Sequence, residues 1–116
     1  MRQVLIIDDS EGSQKIWAKC VPDETCKVSS ALTLLQAEEM FASRKDWDLI
    51  LVDGCVEDTN KELDTVPLVR KMRETFKGDM VAISGRPDFR EALMNEGCNL
   101  GCDKMDVGKF LSERYP

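Results

Sequence analysis

The sequence contains no histidine, and this absence removes whole classes of chemistry. Histidine is the commonest general base and a frequent zinc ligand, so triad-type hydrolysis is excluded and a zinc site would need most of the cysteines to converge. No apolar run approaches the roughly 20 residues of a membrane helix. The first residues are too short a run, and too soon acidic, for a signal peptide. We therefore expect a cytoplasmic protein.

The chain also lacks an excess of basic charge. Its 16 basic residues face 22 acidic ones, for a net charge of −6, and no basic patch typical of nucleic-acid binders is evident. The five cysteines are odd in number and scattered, with Cys98 and Cys102 the only close pair, which is unlike a disulfide framework. The length of 116 residues, 42% of them hydrophobic, predicts one globular domain over residues 1–116.

Apolar runs alternate with helical patterns along the chain. Buried strands are predicted at 4–7, 49–53 and 80–83, with weaker strands at 26–30, on the sheet edge, and at 99–103. Strand and helix alternate five times, which predicts parallel strands in a helix–sheet–helix sandwich of the α/β class.

Start and stop signals define the helices between these strands. Ser10 or Asp9 is predicted to cap the first helix, Thr33 begins the second, and Pro67 occupies the first turn of the third. The fourth helix is predicted over 87–95 and ends at Gly97, and Asp106 is predicted to cap the last. The residues predicted to face the core from the first two helices are Ile16, Trp17, Leu34, Leu35, Ala37, Met40 and Phe41.

Polar residues follow the four inner strands where each strand ends, namely Asp8 and Asp9, Asp53, Ser84, and Lys104. Asp53-Gly54 alone is typical of a turn, but ligands of open parallel sheets bind beyond the carboxyl ends of the strands. Two carboxylates about 4 Å apart repel by roughly 4 kcal/mol at an effective dielectric near 20, so three together require a cation. Oxygen ligands without histidine or cysteine favour Mg²⁺, and an aspartate can attack phosphorus to form an aspartyl phosphate.

The order of these residues at the ends of strands one, three, four and five resembles the receiver domain of two-component response regulators. The resemblance covers essentially the whole chain. It implies a flavodoxin-like (βα)5 three-layer sandwich with the parallel strand order 2-1-3-4-5. It also implies a cytoplasmic signalling phosphoprotein that is not an enzyme, beyond assisting its own aspartyl phosphorylation and dephosphorylation.

The resemblance assigns roles to the residues at the strand ends. Asp53 would be the phosphoacceptor and Asp9 the principal direct Mg²⁺ ligand, with Asp8 acting through water. The backbone carbonyl of Cys55 would be a further metal ligand. Lys104 would pair with the phosphoryl group.

The last site residue that the resemblance implies is Ser84, whose hydroxyl would move toward the phosphoryl group. The donor would be the phosphohistidine of a histidine kinase or phosphotransfer protein, or a small acyl phosphate. Output would pass to an unknown downstream protein, with neither nucleic acid nor membrane as a partner.

Several residues depart from the receiver pattern. Gly101 stands where receivers usually carry an aromatic residue, Met105 replaces the proline that usually follows the lysine, and the expected Met-Pro pair after the phosphoacceptor is absent. The loop from Cys55 to Val66 is long and acidic. We hypothesise that output passes through this loop, or through a partner that fills the gap at Gly101.

Two alternative functions remain on the sequence alone. The first is a receiver-fold binding module that does not cycle phosphate, which the missing aromatic and prolines favour and the complete pocket opposes. The second is a Mg-dependent phosphohydrolase with Asp53 as nucleophile. Such enzymes commonly carry an acid/base carboxylate two residues later, where this chain has Cys55.

Overall fold

The computed structural model describes the whole chain, Met1–Pro116, as five strands alternating with five helices. The strands are β1 (Arg2–Ile7), β2 (Cys26–Ala31), β3 (Leu49–Asp53), β4 (Asp79–Ile83) and β5 (Leu100–Cys102). The helices are α1 (Glu11–Ala18), α2 (Leu34–Ala42), α3 (Val66–Arg73), α4 (Pro87–Glu96) and α5 (Val107–Arg114), with a 3-10 turn at Lys104–Asp106. None of these helices has the length and apolar character needed to cross a bilayer.

The five strands form one sheet in the order β2-β1-β3-β4-β5, and every pair of neighbours is parallel. This order confirms the prediction of a flavodoxin-like sheet with β2 at its edge. The register aligns Ile7 with Val52 and Asp53 with Ile83. The carboxyl ends of the three central strands therefore lie side by side, and the residues that follow them meet at one edge of the sheet.

Alternate residues of the central strands point to opposite faces and build two cores. Leu5, Ile50 and Val52 belong to the core that α2, α3 and α4 cover, where Ala37, Leu68, Met72 and Leu93 are buried. Val4, Ile6 and Leu51 belong to the other core, with Trp17 of α1 and Val107 and Leu111 of α5. All five residues of β3 are buried. A sheet covered on both faces explains why its strands are continuously apolar.

Two apolar residues predicted to face the core are exposed instead. Ile16 is 65% exposed whereas its neighbour Trp17 is 5% exposed. Successive residues of an α-helix lie about 100° apart, so a short helix that buries Gln14 and Trp17 turns Ile16 outward. Leu35 is 63% exposed for the same reason. The prediction of these two as core residues is wrong.

The predicted helix caps hold except at the last helix. The Ser10 and Thr33 hydroxyls accept from backbone N–H groups of the first turns of α1 and α2, and Gly97 ends α4 with a φ of +155°. Asp106 makes no capping bond. The Asp103 carboxylate caps the preceding 3-10 turn instead, by accepting from the N–H of Met105.

Candidate functional site

Three carboxylates converge at the carboxyl edge of the sheet. Asp8 follows β1, Asp9 comes next, and Asp53 is the last residue of β3. One oxygen of each lies within 4.8 Å of the others. Asp8 and Asp53 are buried and Asp9 is exposed, so the cluster opens to solvent on one side. No other group of three acidic or cysteine residues in the chain is arranged to hold a metal, and all five cysteines are free thiols.

Lys104 reaches into this cluster from the turn after β5. Its Nζ lies 2.9 Å from Asp8 Oδ2 and 3.1 Å from Asp53 Oδ2. Asp8 Oδ2 is fully buried and has no partner other than this ammonium. One ammonium among three carboxylates leaves a formal charge of −2, which matches one divalent cation.

The electrostatics of the cluster disfavour the charged form of Asp53 and favour the charged form of Lys104. Burial and the nearby Asp8 carboxylate raise the pKa of Asp53 to about 6, although Lys104 and the N–H of Gly54 oppose the rise. Burial lowers the pKa of Lys104, but its contacts with Asp8 and Asp53 outweigh burial and hold that pKa above its ordinary value. Lys104 therefore stays charged at neutral pH, and Asp53 is the group whose ionisation the fold opposes.

Ser84 follows β4 and faces the same cavity. Its Oγ accepts from the N–H of Arg86 at 3.1 Å, and its carbonyl oxygen accepts from Nη1 of Arg90 at 2.5 Å. Ser84 lines a cavity of about 330 Å³ together with Asp9, Asp53 and Lys104. The structure therefore brings together the five polar residues that the strand ends predicted, with Asp8 buried behind Lys104.

No protein-family model and no curated protein matches this chain, but solved structures do. It superposes on the receiver domain of the TMAO respiratory system response regulator TorR with a TM-score of 0.81, at 22% identity, covering 98% of this chain and 92% of that one. The NtrC4 receiver domain, solved as a beryllofluoride-activated dimer, matches with a TM-score of 0.74 at 20% identity over 100% of both chains. NtrX from Brucella abortus matches with a TM-score of 0.77 at 20% identity over 98% of this chain, which spans 27% of that longer protein.

This chain has the receiver-domain fold. At 22% identity or less the likeness establishes the fold alone, so the roles of individual residues depend on the site itself. Within the receiver fold, the residues predicted as phosphoacceptor and metal ligands lie at the carboxyl edge of the sheet. The acidic cluster supplies the oxygen ligands that a hard divalent cation prefers.

Asp64, which the sequence did not mark as a site residue, orders the loop after Asp53. The Asp64 carboxylate accepts from three successive backbone N–H groups, those of Val56, Glu57 and Asp58, each at 2.8 Å. Its own N–H donates to the carbonyl of Gly54. The only sequence signal for the role of Asp64 is its position, shortly before a helix with proline in its first turn. The acidic loop is therefore an ordered turn around one carboxylate.

Thr65 connects the same loop to β3, the strand that ends at Asp53. Its buried hydroxyl lies 2.7 Å from the carbonyl oxygen of Asp53 and 3.1 Å from that of Gly54. Thr65 is the residue that precedes α3, yet its side chain makes no capping bond to that helix. Its hydroxyl is committed to the backbone beside Asp53.

Cys55 presents its carbonyl oxygen and its thiol differently. The carbonyl accepts no hydrogen bond, so it is free to act as a ligand. The thiol is half-buried and lies 3.6 Å from the carbonyl of Asp58. Burial and the neighbouring carboxylates of Asp64 and Asp53 raise the pKa of the Cys55 thiol. A raised thiol pKa disfavours the reactive thiolate, which argues against a redox role beside the site.

Side chains of α4 border Gly101, which is itself exposed. A Cβ placed on Gly101 would lie 2.9 Å from Sδ of Met94, and Arg90 of α4 lies beyond it. Arg90 in turn contacts the Ser84 carbonyl and lies 3.6 Å from Asp103. Two flexible side chains of α4 therefore occupy the region where receivers usually carry an aromatic residue on the fifth strand.

Proposed function

We propose that this chain is a phosphoacceptor receiver of two-component or phosphorelay signalling, with Asp53 as the phosphorylated residue. A carboxylate oxygen of Asp53 attacks phosphorus, an O–P bond forms, and the bond from phosphorus to the donor breaks. The arrangement of Asp53 between Lys104 and two further aspartates, in one open cavity with Ser84, carries this proposal.

Mg²⁺ fits the residues at this edge. The Asp8, Asp9 and Asp53 carboxylates and the carbonyl oxygen of Cys55 would hold it, either directly or through water. These are hard oxygen donors, and the net charge of −2 that the three carboxylates leave beside Lys104 would be balanced by one divalent cation. When bound, the ion would neutralise charge on the transferring phosphoryl group.

Lys104 and Ser84 are proposed to hold the phosphorylated state. The ammonium is 3.1 Å from Asp53 Oδ2, so it lies within reach of a phosphoryl oxygen attached there. The Ser84 hydroxyl accepts the N–H of Arg86, which leaves its own proton free to donate to that group. Both contacts strengthen as negative charge accumulates at Asp53.

Function then depends on a phosphoryl donor and on a downstream protein. The phosphoryl donor would be a histidine kinase, a phosphotransfer protein or a small acyl phosphate, because no histidine in this chain can carry the group. Chemistry would be confined to the protein's own aspartyl phosphate, and its effects would pass through protein–protein contacts.

The decisive experiment is intact mass measurement after incubation with acetyl phosphate and Mg²⁺. We expect the wild type to gain one phosphoryl group, Asp53→Asn to gain none, and the exposed-site control Asp23→Asn to behave like the wild type. An adduct on Asp53→Asn would refute Asp53 as the acceptor. If acetyl phosphate and a panel of histidine kinases and phosphotransfer proteins all leave the wild type unmodified, the proposal fails and the binding-module alternative replaces it.

The phosphohydrolase alternative is less well supported by the site. Cys55 occupies the position of the second acid/base carboxylate, and a thiol whose pKa is raised is a poor general base at neutral pH. Turnover of a generic phosphate ester far beyond one equivalent per protein would establish that activity instead.

We propose that output passes through the loop of residues 55–66. The Glu57 carboxylate accepts from the N–H of Leu34 at 2.5 Å, so this loop contacts the first turn of α2. Heteronuclear spectra with and without beryllofluoride test the idea. We expect the largest shifts in the 55–66 loop and at the start of α2. Shifts confined to α4 and β5 would contradict it.

A further inference from the structure

A second and larger cavity lies at the end of the molecule opposite Asp53. It has a volume of about 720 Å³, within the range of roughly 300–1,000 Å³ that holds small ligands. Its lining includes Trp47, shortly before β3, and Gly78, directly before β4. These mark the amino ends of the strands whose carboxyl ends carry the phosphoacceptor site. The cavity is therefore separate from that site.

The floor of this cavity is apolar and largely aromatic. It is formed by Phe41 of α2, Trp47, Leu68 and Met72 of α3, and Phe76. All but Phe41 are core residues with at most a small exposed fraction. An aromatic ring or a branched aliphatic group placed on this surface would contact the edge of the hydrophobic core.

The first wall, the connection from α2 to β3, is fixed by its own bonds. The indole N–H of Trp47 donates to the carbonyl of Phe41 at 3.2 Å. The Arg44 guanidinium pairs with both oxygens of Asp46, at 2.6 and 3.0 Å, and lies 5.7 Å from the centre of the Trp47 ring. This wall is therefore held in place without a ligand.

The second wall, the connection from α3 to β4, is fixed by Arg73. Its guanidinium donates to the carbonyl oxygens of Phe76 and Gly78, each at 2.9 Å, and to that of Gly97 at 2.8 Å. The same group lies 5.6 Å from the centre of the Phe76 ring. The cavity is thus preformed, which lowers the entropic cost of binding.

The rim of the cavity is basic in a chain whose net charge is −6. It carries two acidic side chains, Glu38 and Glu74, and four basic ones, namely Arg44, Lys45, Lys71 and Lys77. Arg44 is paired with Asp46, and Lys71 lies 3.7 Å from Glu38. Lys45, on the first wall, and Lys77, on the second, have no ion pair, and neither has Glu74. Each wall therefore contributes one exposed lysine without an ion pair to the rim, and the unpaired rim charges leave an excess of one positive charge.

We propose that this cavity binds a small aromatic carboxylate, with its ring on the Trp47 and Phe76 floor and its carboxylate at Lys45 and Lys77. The apolar floor selects the ring, and the two unpaired ammonium groups select the negative charge. The proposal is independent of phosphorylation, because no residue of this cavity belongs to the Asp53 site.

The two tryptophans provide a test with an internal reference. Trp47 lines the cavity, whereas Trp17 belongs to the core on the other face of the sheet. The probe is naphthalene-1-acetate, titrated into labelled protein while the two indole N–H signals are followed by NMR. We expect the Trp47 signal to shift and saturate while the Trp17 signal stays still. The neutral counterpart, naphthalene-1-acetamide, is expected to bind about tenfold more weakly because it lacks the charge.

Charge variants complete the experiment. Lys45→Glu combined with Lys77→Glu is expected to weaken naphthalene-1-acetate by about tenfold or more. The matched control is Lys15→Glu with Lys19→Glu, in α1 and directly after it, which changes the net charge equally on the other face and is expected to leave affinity within about twofold. Equal affinity for acid and amide, equal loss in both double variants, or absence of a saturable Trp47 shift would each overturn the proposal. Far-ultraviolet circular dichroism checks that the variants are folded.

Discussion

Replacing Asp53 by asparagine is expected to stabilise the protein at neutral pH and to leave its stability nearly unchanged in acid. Asp53 is 5% exposed, and its pKa rises from 3.8 to about 6 on folding because burial and Asp8 oppose its charge. The folded state therefore binds more protons than the unfolded state between these two values. Stability falls as the pH rises through that window, and the loss is complete above the folded-state pKa.

The magnitude follows from the two pKa values. Ionised Asp53 costs the folded state about 3 kcal/mol at pH 7.5, whereas the cost at pH 4.0 is below about 1 kcal/mol. Asparagine has nearly the same shape as the protonated carboxyl and never ionises. The stabilisation by Asp53→Asn should therefore grow by about 2 kcal/mol between the two pH values. The substitution does not remove the partner of Lys104 in Asp8, whose Oδ2 lies 2.9 Å from Nζ in the wild type.

Urea unfolding in EDTA at pH 4.0 and pH 7.5 measures this difference. The control is Asp23→Asn, which removes one negative charge at an exposed position and should show no pH-dependent gain. Equal pH dependence of the wild type and Asp53→Asn would refute the reasoning that burial and Asp8 hold Asp53 near its neutral form. Mg²⁺ should stabilise the wild type more than Asp53→Asn, because the variant replaces a charged carboxylate with a neutral amide.

Further predictions concern the backbone around the site and use urea unfolding at neutral pH. Gly54→Ala should destabilise by about 1–3 kcal/mol, because the new Cβ would lie 2.8 Å from the Phe89 ring. Asp64→Ala should cost about 1–3 kcal/mol and weaken Mg²⁺ binding severalfold, because three backbone N–H groups lose their acceptor. Gly97→Ala should cost about 1–3 kcal/mol because its φ is +155°. Gly12→Ala, inside α1 with open space around it, should instead stabilise by about 0.5–1 kcal/mol.

Each of these has an outcome that would contradict it. A neutral Gly54→Ala variant would mean that Phe89 moves aside without cost. Unchanged Mg²⁺ affinity in Asp64→Ala would separate the loop from the metal site. Loss of stability in Gly12→Ala would show that alanine substitutions are unfavourable here regardless of position, which would remove the meaning of the other two glycine variants.

The sheet and the chemistry of its carboxyl edge could be predicted because both are local in sequence. Leu49–Asp53 has no polar face, so a strand covered on both sides was the one consistent interpretation. The parallel order then forced Asp8, Asp53 and Lys104 to one edge whatever the helices did. The turn after β5 was less predictable: Asp103, not Asp106, supplies the capping carboxylate, because a 3-10 turn of three residues precedes α5.

Features that depend on side chains reaching across the chain could not be predicted. The Met94 sulfur of α4 lies within 2.9 Å of where a Cβ on Gly101 would lie, and Arg73 joins the α3–β4 and α4–β5 connections through three carbonyl oxygens that carry no sequence signal. The exposure of Ile16 and Leu35 could not be predicted either. In a helix of eight or nine residues, a rotation about the helix axis by the angle between neighbouring residues changes which of them are buried.

The contacts of Thr65 suggest how the site communicates with the rest of the fold. When serine or threonine precedes a helix, its hydroxyl oxygen normally accepts a hydrogen bond from a backbone N–H of the first turn. This bond stabilises the helix by about 1 kcal/mol. Here the hydroxyl contacts the carbonyls of Asp53 and Gly54, so the start of α3 is attached to the backbone at the end of β3 instead. A rearrangement at Asp53 must therefore either carry the start of α3 with it or break a buried hydrogen bond. Asp64, the adjacent residue, accepts from three backbone N–H groups of the loop. The same rearrangement would therefore move the loop and the start of α3 together.

Thr65→Val keeps the shape of the side chain and removes its hydroxyl, so it should uncouple α3 from Asp53. The chemical-shift changes that beryllofluoride causes at the start of α3 should become smaller, while those at Ser84 persist.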